Sequence, residues 1–348
     1  MSTTQTERSS TSVAGGRPGP SPEKFFETMV AYQRTAALNA ALELELFTAI
    51  GNRQETVHAL AKRVNGSERG VRILCDSLVV IGFLTKAEER YGLTADSAVF
   101  LDKNSPAYLG SAARFLASAS VADGFTDLAT VVRSGRPFAD QPLGDGDHPE
   151  WPEFARNMAM LSYSVAAETA KLFDAESKMK VLDVAAGHGM FGIAVAQRNR
   201  KALIVASDWP SVLEVAHENA VRAGVSDRYR LLPGDALEVD FGTGFDAVLI
   251  ANLLHMWDRA TNERFLKRVH AALAPQRRVI VVELAPNDDR TSPPVPALFA
   301  LNMLANSRGG DAYTASEHVA MLDHAGFSGC EVRPIPPTAH TAIVAAKA

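Results

Sequence analysis

The chain has 348 residues and a mass of 37.3 kDa, enough for two domains. Its 47% hydrophobic and 22% charged residues are ordinary globular usage and exclude global disorder and fibrous repeats. Lys+Arg 35 against Asp+Glu 40 gives a net charge of −5 and a pI near 6.0, which leaves no electrostatic footprint for nucleic acid or an anionic membrane.

Residues 1–20 read as a disordered Ser/Thr/Gly/Pro tail that lacks the apolar stretch of a secretory signal. Ser21 and Pro22 then predict an N-cap followed by a proline in the first turn. One long helix is expected over 25–50, carrying Phe26, Met29, Val30, Leu38, Ala41, Leu42 and Leu46. Shorter helical patterns start at Thr56 and Val71, and two strand-like runs follow from Gly82 around a charged turn. Three helices and a hairpin are the order of a winged helix. The pattern stays helical to about Ala170, interrupted by a Gly/Asp/Pro-rich loop at 135–151.

From Met179 the texture changes. Short apolar runs begin at Lys180, Ala202, Tyr229, Asp246 and Val279, with weaker ones at 330–335 and 341–345, and helical segments lie between them. This alternation predicts an α/β fold with a mostly parallel sheet and helices on both faces. Ser211 and Glu214 are spaced as a capping box, and Gly224 stands where that helix should stop. No apolar run reaches the length of a membrane span. Cys75 and Cys330 fit neither a disulfide framework nor a metal spacing, so a reducing cytoplasm is expected. Asn287, Asp288 and Asp289 read as a solvated turn, and no metal is expected.

The first run ends in Asp183-Val-Ala-Ala-Gly187-His-Gly189-Met-Phe-Gly192, and Asp208 closes the second. As a bare pattern this suits a nicotinamide dinucleotide, with Asp208 on the ribose. Asp183 argues otherwise, because its charge disfavours a pyrophosphate. Asp235 in Gly234-Asp235-Ala236 adds another acid beside the same crevice. Acids flanking a glycine turn suit a cationic nucleoside, S-adenosylmethionine, although Asp208 and Asp235 as plain helix caps remain open. His255 follows the fourth run, at the edge where open α/β sheets bind ligands, and Glu283 ends the fifth. An imidazole there is suited to accept a proton from a phenol, although a lone histidine after a strand is more often an ordinary loop residue.

The set ValLeuAspValAlaAlaGlyHisGly, AlaSerAspTrpPro, GlyAspAla, LeuLeuHisMetTrpAsp and ValValGluLeuAlaPro resembles the plant-type, metal-independent small-molecule O-methyltransferases, in the bacterial branch of secondary metabolism. The resemblance implies a class I, Rossmann-like methyltransferase domain over 171–348, behind a winged-helix dimerisation domain over 21–105 and a helical connector over 106–170. It implies S-adenosyl-L-methionine held by Ser162, Asp183, Gly187, Gly189, Asp208, Trp209, Asp235, Ala236 and Trp257. Met158, Met303 and Ser307 would border an aromatic small-molecule substrate, with His255 as general base and Glu283 as its support. A cytoplasmic homodimer built on the N-terminal domain is expected, free of membrane and nucleic acid.

Two departures stand out: Ala185 and Ala186 replace glycines, and Ala312, beside Asp311, replaces a second supporting acid. The alternatives are transfer to carbon or nitrogen, a non-methylating relative, or a regulator that uses the winged helix on DNA.

Overall fold

The computed structural model describes residues 20–137 and 146–348; the expected tail, save residue 20, and the middle of the 135–151 loop lie outside the described residues. The chain divides into two compact units, Met1–Ala98 and Val99–Ala348. The helices expected as a connector pack within the second unit, whose boundary falls between Ala98 and Val99.

In the first unit the single long helix is corrected to three: Glu23–Met29, Ala31–Glu43 and Leu46–Ile50. The chain breaks at Val30 and again at Glu45, which is left-handed with φ 52°. Pro22, rather than Ser21, takes the cap position, and the Ser21 hydroxyl accepts the Glu23 N–H at 3.2 Å. Thr56 and Ser67 cap the helices Val57–Arg63 and Glu68–Val80 through their side chains. β2 (Leu84–Ala87) and β3 (Arg90–Leu93) form the expected hairpin, and β1 (Glu55–Thr56) adds a third strand against β3.

In the second unit all seven predicted runs are strands of one sheet. They are β4 (Met179–Val184), β5 (Ala202–Asp208), β6 (Tyr229–Pro233), β7 (Phe245–Ala251), β8 (Leu273–Glu283), β9 (Phe327–Pro334) and β10 (Thr341–Lys347). The order is β6-β5-β4-β7-β8-β10-β9, parallel through β8, with β10 antiparallel to both its neighbours. Period-2 alternation sends Val181, Ile204, Ala206 and Leu249 to one apolar layer and Leu182, Val184, Val248 and Ile250 to the other.

The Ser211–Glu214 capping box does not form. Pro210 opens the helix Pro210–Arg222, so Trp209 occupies the cap and Ser211 already lies inside the first turn. A capping box exists instead at Thr314 and Glu317. Gly224, with φ 69°, follows the helix end as expected. Among the described residues no helix is long and apolar enough to cross a membrane.

Candidate active site

The crossover reverses beside β4: β5 and β6 lie to one side, β7 and β8 to the other. Strand ends therefore leave a crevice at their carboxyl edge. Asp183, next to last in β4, is buried, and its Oδ2 accepts the Gly192 N–H at 2.9 Å. Burial disfavours its charge and pushes its pKa up to about 7, helped by the nearby Asp208. The turn then runs through Ala185, Gly187 and Gly189 at φ 52°, 55° and 77°. Ala185 holds a left-handed conformation that glycine adopts freely and alanine only at a cost. Gly189 is required twice over, since a Cβ there would lie 2.7 Å from the Tyr229 hydroxyl.

Asp208, at the end of β5, is half-buried. It accepts the Gly187 N–H on Oδ2 and the Trp209 N–H on Oδ1, both at 2.7 Å. Desolvation raises its pKa to about 6 against those two bonds. Asp235 is half-buried as well and accepts the Leu237 N–H at 2.8 Å. Arg268 braces this turn from below by donating to the carbonyls of Ala236 and Val239. The sequence reading missed Arg268, since a lone arginine on an amphipathic helix carries no such signal. Trp257 is half-buried and packs edge-to-face on Phe265 at 5.3 Å, while Trp209 packs beside Ala155, Val212 and Val215.

Past β7, His255 lies in a short turn, 9% exposed, with Nδ1 2.7 Å from Glu283 Oε2. Glu283 Oε1 accepts the N–H groups of Leu253 and Leu254 at 2.8 and 2.7 Å. Burial works against the Glu283 charge, but the facing His255 ring and these donors prevail and lower its pKa. The loop carrying Gly310 lies against the back of His255: the Asp311 N–H donates to the His255 carbonyl at 3.0 Å. The Asp311 carboxylate does not turn toward the ring; it pairs with Arg290 at 3.1 Å. Ala312 is buried and leaves Glu283 as the acid bonded to the imidazole.

Met158 and Ser162 stand one turn apart on the helix Trp151–Ala170. Met303 is buried on the helix Pro294–Asn306, whose Phe299 meets the His255 ring edge-to-face at 4.9 Å. Phe299 was not anticipated, although it lies four residues before Met303 and so on the same helix face. The hydroxyl hydrogen of Ser307 goes to the Met303 carbonyl at 2.7 Å, and its oxygen accepts the Gly310 N–H. Ser307 is thus a helix-end residue whose oxygen alone retains bonding capacity.

Residues 126–328 match the O-methyltransferase domain family, and residues 26–103 match the O-methyltransferase dimerisation domain. The chain belongs to this family. It is accordingly an S-adenosylmethionine-dependent methyltransferase. This O-methyltransferase is similar to a candidate O-methyltransferase from Nostoc punctiforme of solved structure. The two are 47% identical with a TM-score of 0.91, over 95% of this chain and 100% of the other. It is 28% identical to the 3-hydroxy-5-methyl-1-naphthoate 3-O-methyltransferase of Streptomyces sahachiroi, over 92% of this chain and 95% of that one. Human N-acetylserotonin methyltransferase, solved with its S-adenosylmethionine, shares the fold at TM-score 0.84 and 21% identity, over 96% of this chain and 99% of that one.

The residues present fit that cofactor. Asp183, Asp208 and Asp235 gather acceptors around a glycine turn, as a cationic sulfonium, an ammonium and ribose hydroxyls require. Asp183, ahead of the turn, would disfavour a pyrophosphate.

Proposed function

We propose that this O-methyltransferase methylates a phenolic hydroxyl of a small secondary metabolite, with His255 as general base. The observation that carries the reading is the 2.7 Å bond from His255 Nδ1 to a Glu283 carboxylate whose other oxygen is fixed by two backbone N–H groups. Glu283 thereby orients the ring and leaves Nε2 for the acceptor. As negative charge develops on the acceptor oxygen, its proton passes to Nε2, and Glu283 stabilises the resulting imidazolium. Bound at the glycine turn, S-adenosylmethionine supplies an electrophilic methyl group. Gly187 and Gly189 would line its methionine end, Asp183 and Ser162 its tail, Asp208 its ribose, and Asp235, Ala236, Trp209 and Trp257 its nucleoside. Met158, Met303 and Phe299 would form the apolar wall that positions an aromatic ring beside His255, which is most of what an in-line methyl transfer demands.

The hydroxynaphthoate in the name of the Streptomyces sahachiroi relative is an acceptor of this chemistry. The dimerisation-domain match supports a homodimer, and we place the enzyme in the cytoplasm on its cysteine usage.

The test is a panel of phenols with labelled cofactor. His255→Ala should lower kcat by roughly 10²–10⁴, the usual worth of a positioned proton acceptor, with the KM for cofactor nearly unchanged. Raising the pH should partly rescue the variant with a phenol, which then ionises unaided, but not with an aliphatic alcohol. Unchanged turnover in His255→Ala at neutral pH would remove the general base and favour transfer to carbon or nitrogen.

A further inference from the structure

His188, inside the glycine turn, is 8% exposed and bonded at both ring nitrogens. The Met190 backbone N–H, which can only donate, reaches Nδ1 at 3.1 Å. Nε2 lies 2.8 Å from the Ser162 Oγ, equally buried, on a helix whose sequence position is 26 residues away. The ring is stacked on Phe191 at 6.2 Å and 19°, and the His188 carbonyl accepts the Asn219 side-chain amide at 2.8 Å. Packing alone would be met by an apolar ring; here three separate contacts fix the ring in one orientation, and the Asn219 bond holds its backbone.

The tautomer follows from these bonds. Nδ1 accepts, so in a neutral ring the proton resides on Nε2 and is donated to Ser162. Burial lowers the His188 pKa to about 4, which keeps the ring neutral at physiological pH. Ser162 then spends an oxygen lone pair on His188 and retains its own hydrogen for an acceptor. The surrounding crevice supplies acids, Asp183, Asp208 and Asp235, which suit the cationic and hydroxyl-bearing parts of the cofactor. The carboxylate of its amino-acid tail needs the opposite: a donor that carries no negative charge.

We infer that His188 is a positioning residue, whose Nε2–H fixes the Ser162 hydroxyl as a neutral donor for that tail carboxylate. The inference rests on the cofactor site described above and adds a residue to it. Ser162 touches the ligand; His188 acts through Ser162.

Calorimetry on the full chain with two probes tests it: S-adenosylhomocysteine, and 5′-methylthioadenosine, which keeps the nucleoside and thioether but lacks the amino-acid tail. His188→Leu should weaken S-adenosylhomocysteine binding by about ten- to hundred-fold, the worth of a hydrogen bond to a charged group. Methylthioadenosine affinity should change by no more than about twofold, the scale of a lost non-contact. Ser162→Ala, a minimal change that serves even where His188→Leu folds poorly, should show the same split. The double variant should be no weaker than Ser162→Ala alone, and His188→Gln, which restores an N–H donor, should recover much of the loss. Equal weakening of both probes would reduce His188 to packing, and additive losses would separate it from Ser162; either overturns the inference. Failure of the unaltered protein to bind S-adenosylhomocysteine would overturn the cofactor site itself.

Discussion

Two acids of the crevice, buried Asp183 and half-buried Asp208, store a cost that depends on pH. Asp183 titrates at about 7 and Asp208 at about 6, both raised by desolvation. A carboxyl with a raised folded pKa binds its proton more tightly folded than unfolded. Its contribution therefore favours the folded state below about pH 4, the ordinary carboxylate range, and is lost as pH rises to about 7. Asp183→Asn keeps an oxygen for the Gly192 N–H but cannot ionise. It should melt higher than the unaltered protein at pH 8 and show a shallower fall in Tm between pH 4 and 7, with Asp208 accounting for what remains. Calorimetric scans across that range check it, and parallel Tm curves would refute it. The same variant should lose cofactor affinity. In the proposed site the charge that destabilises the fold is the one a cationic ligand needs. The acids themselves were legible in the sequence, since each stands at or next to the end of a recognisable apolar run. His188 was not, because its role depends on a helix that only tertiary packing brings to it. Asp311 was ambiguous for a similar reason: nothing local says that Arg290 claims its carboxylate.

Helices and strands differed in how much the sequence disclosed. The seven strands of the large sheet were visible because each contains a short apolar run, most of them bounded by Gly, Asp or Pro. Their order was not, because register depends on partners far along the chain. The first helix was overextended, since its apolar residues continue through Val30 and Glu45 and neither break carries Gly or Pro. The segment Glu23–Met29 buries none of its residues, and Phe25, Phe26 and Met29 are each 60% exposed. Apolar exposure of this density on a unit that matches a dimerisation domain calls for a second copy. Light scattering at micromolar concentration should give a dimeric mass. Phe26→Glu combined with Met29→Glu should give a monomer with its helix content nearly intact by circular dichroism. A monomeric mass before substitution would refute the homodimer, and a dimer that survives both changes would move its interface elsewhere.

At the scale of the molecule, the groups proposed to hold cofactor all belong to Val99–Ala348, so ligand binding should be felt there. S-adenosylhomocysteine at 100 times its Kd should add about 2.7 kcal/mol to that unit, raising its Tm by roughly 5–10 °C. The transition of Met1–Ala98, where it is resolved in the same scan, should stay within about a degree, because only a state that binds ligand is stabilised. A shift confined to the smaller unit would contradict the assignment of the crevice.

The antiparallel strand β10 sits between β8 and β9, and its Thr341 stands opposite Glu283 in register. Glu283 therefore belongs to a strand whose neighbour on that side is the last of the sheet to be synthesised. A ribosome elongating this chain will have exposed the glycine turn, Asp208 and His255 well before residues 341–347 emerge. Until they pair, the strand bearing Glu283 has an open edge on that side. Pairing of β10 along β8 therefore encloses the strand that carries the support of the proposed base.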